Sequence, residues 1–125
     1  MKAGKGGSGQ IVLIVDDEPM QRMMAADMLY NDGFWSVEAS DAYQALRLLE
    51  SRPDIRIVIT DIKLPRGMNG LELAAIVRRR WPDIEIAFAA GSHDAPDNNI
   101  PDRAAFFRKP YRSQEVLPVL HSMVY

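Results

Sequence analysis

A chain of 125 residues holds one domain with a hydrophobic core, and its 47% apolar and 26% charged residues exclude disordered and fibrous classes. Fifteen basic against seventeen acidic side chains give a net charge of -2, which argues against a nucleic-acid or anionic-membrane binder. With no cysteine there is no disulfide framework or thiolate metal site, and no apolar run approaches the roughly 20 residues of a membrane span, so the expected location is the cytoplasm.

Residues Met1 to Gln10, MKAGKGGSGQ, are Gly-rich and almost free of apolar side chains, which predicts a flexible leader over 1-10 and a folded domain over 11-124. Ile11 to Val15 is an unbroken, β-branched run that stops at three acids, the pattern of a strand buried on both faces. Pro19 to Leu29 predicts a helix, with Met20, Met23, Met24 and Met28 as its apolar positions and Asn31-Asp32-Gly33 ending it. Phe34 to Glu38 predicts a short strand, and Asp41 the cap of a helix with Ala42, Ala45, Leu46 and Leu49 on its apolar face.

After the break at Pro53-Asp54, the run Ile55, Ile57, Val58 and Ile59 predicts a strand ending at Thr60-Asp61, and Leu64 to Gly70 a loop. Leu71 to Trp81 predicts the next helix, Ile84 to Ala90 a fourth strand, Ala104 to Arg108 a fifth, and Ser113 to Met123 a last helix that Pro118 would bend or delay. Ser92 to Asp102 holds Pro96 and Pro101 without apolar periodicity, so a fourth helix there is expected to be short, irregular or absent. Strands alternating with helical segments imply a doubly wound α/β fold with a parallel sheet, whose site lies beyond the carboxyl ends of its strands.

Those ends carry Asp16-Asp17-Glu18 after the first strand, Asp61 after the third and Lys109-Pro110 after the fifth. Gathered carboxylates repel one another unless a hard cation sits among them, and Mg2+ takes one or two carboxylates with water and a phosphoryl oxygen. A lysine brought to the same edge would balance an anion formed on one carboxylate, a phosphoryl group on Asp61. Taken singly, the acids are an ordinary first helical turn, Asp61 a turn residue and Lys109 a solvated charge; their joint placement carries the reading.

VDDEP at 15 to 19, TDIKLPRGMNG at 60 to 70 and FFRKPY at 106 to 111 resemble the receiver domains of two-component response regulators, over Ile11 to about Val124. The resemblance implies a flavodoxin-like five-stranded parallel sheet of order 2-1-3-4-5. It further implies that Asp61 takes phosphate from a histidine kinase or phosphotransfer protein and passes a signal to a downstream protein. Asp17, Asp61 and the Lys63 carbonyl would bind Mg2+ directly, Asp16 through water, and Lys109 would contact the phosphoryl group, with a cis Lys109-Pro110 bond. Phe106 falls at the family's aromatic switch position. Ala89 stands where most members carry Ser or Thr.

The remaining features read as structure. Phe106, Phe107 and Tyr111 read as packing, His93 and His121 as isolated surface residues, and Arg78-Arg79-Arg80 as a solvated helix end. Two alternatives fit less well. An aspartyl phosphohydrolase usually carries a second Asp two residues after its nucleophile, where this chain has Lys63. A flavin-binding module needs a phosphate loop after the first strand, where this chain has acids that repel phosphate.

Overall fold

The structure, a computed structural model, describes residues 9–91 and 102–124. Of the leader expected over residues 1–10, residues 1–8 lie outside them, as does the segment Ser92 to Asp102 apart from its last residue. The elements are β1 (Ile11–Val15), α1 (Pro19–Asn31), β2 (Trp35–Ala39), α2 (Ala42–Ser51), β3 (Ile55–Asp61), α3 (Gly70–Arg80), β4 (Glu85–Ala90), β5 (Ala104–Arg108) and α4 (Ser113–Val124). The sheet runs β2-β1-β3-β4-β5 with every neighbouring pair parallel, so all strands end at one edge.

Successive residues of β1 show why its sequence is apolar throughout. Leu13 and Val15 pack with Ala42, Ala45 and Leu49 of α2 and Leu73 and Val77 of α3. Val12 and Ile14 pack on the other face with Ala25 and Leu29 of α1 and Val116 and Leu120 of α4. A strand covered on both faces has no solvent side on which to place a polar residue. Burying one such Leu or Ile side chain contributes about 1.5–3 kcal/mol, which is what holds the strand ends in a common frame.

Two expectations are corrected. Phe34 is not in β2, because its amide donates to the Leu29 carbonyl and closes the turn after α1, where Gly33 takes a left-handed φ of 96°. Three of the four methionines of α1 are not in its buried stripe: Met20, Met23 and Met24 are 61%, 52% and 46% exposed, while Ala25 and Leu29 are fully buried and Met28, as expected, packs half-buried against them. The helix is rotated by its polar residues, since Arg22 donates to the Asp16 carbonyl at 2.7 Å and pairs with Glu38 at 3.0 Å. Satisfying that carbonyl and the guanidinium together outweighs covering flexible thioethers.

The helix ends follow their residue types. Asp41 caps α2 by accepting the Gln44 amide at 2.8 Å, as expected. Asn69 and Glu72 form a reciprocal capping box on α3, each side chain accepting the other residue's amide. Helix α4 runs through Pro118, which leaves the Gln114 carbonyl without its helical donor.

Candidate functional site

Backbone pairing carries three chain segments to the carboxyl edge. The Asp16 amide donates to the Ala39 carbonyl at 3.0 Å, prolonging the pairing of β1 with β2, and the Lys109 amide donates to Ala90 at 2.8 Å, prolonging that of β4 with β5. Asp61 is the last residue of β3 and stands opposite Ala89. Gly70, the first residue of α3, presses on this point, for its amide donates to the Ile62 carbonyl at 2.8 Å. A Cβ there would stand 2.0 Å from the Asp61 carbonyl oxygen.

The side chains converge as the strand ends do. Carboxylate oxygens of Asp16, Asp17 and Asp61 lie within 4.8 Å of one another. Asp16 is fully buried and Asp61 nearly so, whereas Asp17 is exposed. The Lys109 ammonium bonds Asp16 at 2.5 Å and Asp61 at 3.0 Å, and the Asp16 carboxylate also accepts the Glu18 amide at 3.0 Å. Lys109 and Pro110 are joined by a cis peptide bond.

Burial pushes the Asp61 carboxyl above the ordinary carboxylate range; the Lys109 bond and the Lys63 amide pull it back, and the Asp16 charge adds to the rise. Burial draws the Lys109 ammonium down, but its bonds to Asp16 and Asp61 prevail and hold it above its ordinary value. The lysine therefore stays charged at neutral pH. Burial, with Asp16 and Asp61 nearby, also raises the Tyr111 phenol, so its hydroxyl stays protonated. The mouth is a cavity of about 480 Å3 whose walls include Asp17, Asp61, Lys63, Pro65 and Lys109.

Every acid and the lysine singled out in the sequence thus meet in one place. Of the two switch positions, Ala89 stands beside Asp61 as its partner across β3 and β4, whereas Phe106 lies away from the acids. Ala89 pairs with Phe107 and packs on the α1 and α4 face, while Phe106 pairs with Phe88 and packs on the α2 and α3 face. Sequence reasoning missed the tight approach of Gly70 to Asp61 and the reach of Arg66 to Asp41 at 2.8 Å, neither of which has a local signal.

Other singled-out residues lie elsewhere. His121 is half-buried and bonded to Asp32, with its ring against Phe34, so it is not a plain surface residue. His93 lies outside the described residues. Of the arginine run, Arg79 is exposed, but Arg78 donates to the carbonyls of Ile84 and Arg103, and Arg80 pairs with Glu50 and lies over Trp81.

A family model described as response regulator receiver domain matches residues 12–118. The sensor kinase CckA of Brucella abortus is 31% identical over 117 residues, 90% of this chain and 12% of the kinase. The positive alginate biosynthesis regulatory protein of Pseudomonas aeruginosa is 36% identical over 114 residues, 87% of this chain and 45% of the regulator. The chain thus spans less than half the length of either relative. A receiver domain from Clostridium thermocellum superposes with a TM-score of 0.83 at 24% identity, covering 91% of this chain and 93% of that one. The signal receiver domain of an HD domain-containing protein from Pseudomonas fluorescens gives 0.81 at 26% identity, covering 93% and 94%.

Proposed function

The chain belongs to the response regulator receiver domain family of two-component systems, and on that premise we propose that it is a switch whose phosphoacceptor is Asp61 and whose donor is a phosphohistidine of a kinase or phosphotransfer protein. One observation carries the reading: a lysine ammonium bonded to two carboxylates, with a third carboxylate in reach. A lone acid–lysine pair would need no third acid. That relatives include sensor kinases carrying a matching segment supports a histidine kinase or phosphotransfer donor.

The donor set of three carboxylates fits a hard cation and not a soft one. In this reading Asp17, Asp61 and the Lys63 carbonyl would hold Mg2+ and Asp16 would assist them. The ion, when bound, draws charge off the transferring phosphoryl group. An Asp61 oxygen attacks phosphorus, the bond from phosphorus to the donor nitrogen breaks, and the electron pair leaves on the imidazole. Lys109 then faces the phosphoryl oxygens and balances their charge. Water attack on the acyl phosphate returns Asp61 and free phosphate, so the domain turns over no diffusible substrate beyond its own slow reset.

Incubation with acetyl phosphate and Mg2+ is expected to add one phosphoryl group, read by mass spectrometry, and Asp61→Asn to abolish it. Stoichiometric, lasting label on the Asn variant would rule the assignment out.

A further inference from the structure

The connection between β3 and α3 carries the backbone that touches the phosphoacceptor. Its Lys63 amide donates to the Asp61 carboxylate, and its Leu64 and Pro65 line the mouth. At the outer turn Arg66 and Gly67 take left-handed φ values of 70° and 93°, a conformation that costs an arginine and not a glycine. There Arg66 Nε meets Asp41 Oδ2 at 2.8 Å. Arg66 follows β3 and Asp41 follows β2, the strands on either side of β1. The pair therefore joins two connections across the carboxyl end of the strand that supplies Asp16 and Asp17.

The two partners are not alike. Asp41 is fixed: its other oxygen accepts the Gln44 amide at 2.8 Å, and Gln44 Oε1 accepts the Ser40 amide at 2.7 Å. Its side chain is 10% exposed, that of Arg66 69%. The helix cap is complete without the arginine, so the pair adds nothing that α2 needs. What it does fix is the loop. We propose that the Arg66–Asp41 pair is a positioning latch that holds the β3–α3 loop, and through the Lys63 amide the Asp61 carboxylate, in the arrangement that accepts a phosphoryl group. The inference rests on Asp61 being the acceptor.

The test compares acetyl phosphate labelling with Mg2+ in the parent, Arg66→Gln, Arg66→Lys, Asp41→Asn and the double variant Arg66→Gln with Asp41→Asn. Asparagine caps helices as well as aspartate does, so α2 keeps its start. Each neutral single variant is expected to label about threefold more slowly, the scale an exposed ion pair supports. The double variant should be no slower than either, because both singles remove one interaction. Arg66→Lys should recover most of the rate. Amide exchange at residues 63–68 should quicken in Arg66→Gln while its melting temperature stays within about 2 °C of the parent. Unchanged labelling in both singles, losses that multiply in the double variant, or unchanged loop exchange would each overturn the latch. A parent that takes no label at all would instead remove the Asp61 assignment, and the latch with it.

Discussion

An alanine at Gly70 would place its methyl 2.0 Å from the Asp61 carbonyl oxygen, and magnitudes decide the sign of that change. Helix propensity favours alanine by about 0.5–1 kcal/mol, but overpacking against fixed backbone costs about 1–3 kcal/mol. Gly70→Ala is therefore expected to lose about 1–2 kcal/mol in urea unfolding and to label several-fold more slowly. A stabilised, fully active variant would show that the loop gives way freely. Ala89 lacks the hydroxyl that, by family resemblance, would donate to the phosphoryl oxygen, and a bond to a charged group contributes about 1.5–3 kcal/mol, a tenfold bias or more. Beryllofluoride with Mg2+ should then shift amide resonances strongly at Asp16, Asp61 and Lys109 but weakly at Phe106, on the other sheet face, and Ala89→Thr should enlarge the Phe106 change. Large, saturating shifts at Phe106 in the parent would mean another donor serves.

The rotation of α1 makes a contrast that single substitutions can measure. Leu29→Ala removes a fully buried side chain and should cost about 2–5 kcal/mol, whereas Met23→Gln, on the exposed face, should stay within about 0.5 kcal/mol. Equal losses would place the methionines in the core after all. Helix α2 supplies a pH test. Its capping amide at Gln44, opposed by burial and helped by Arg66 and Arg47, holds the Asp41 carboxyl below its usual 3.8. A carboxyl with a lowered folded pKa lends stability that is present above the unfolded value and lost as pH falls through the folded one. The parent should thus melt above Asp41→Asn at neutral pH, with the gap closing below about pH 4 in thermal scans; parallel curves would refute it. Element identity was legible because buried strands read as β-branched runs and the α2 cap as an Asp before a periodic segment. The facing of α1 was not, since Met20, Met23 and Met24 fit either side of a helix and only Arg22, held by Asp16 and Glu38, chooses.

Over the whole molecule, the clustered carboxylates make the metal-free fold less stable than it would otherwise be, and a cation that binds only the folded chain adds RT ln(1 + [L]/Kd). At ten times Kd this is about 1.4 kcal/mol, or a rise of about 5–6 °C in melting temperature. Asp17→Asn should raise the melting temperature without Mg2+ and blunt the response to it; an undiminished response would put the ion elsewhere. The site's members were legible because each sits where a strand run breaks at a charge, and strand ends share one edge. The Arg66–Asp41 pair was not, because its partners become neighbours only through the order β2-β1-β3, which no local pattern encodes. The same topology has a consequence for the timing of activity. Lys109 reaches Asp16 across 93 residues and Asp61 across 48, from the outermost strand past β4. A chain still emerging from the ribosome carries Asp16, Asp17 and Asp61 well before the ammonium that balances them. If Asp61 is the acceptor, the domain should therefore be mute to a phosphodonor until β5 has docked, so that phosphate is accepted only once this sheet is complete.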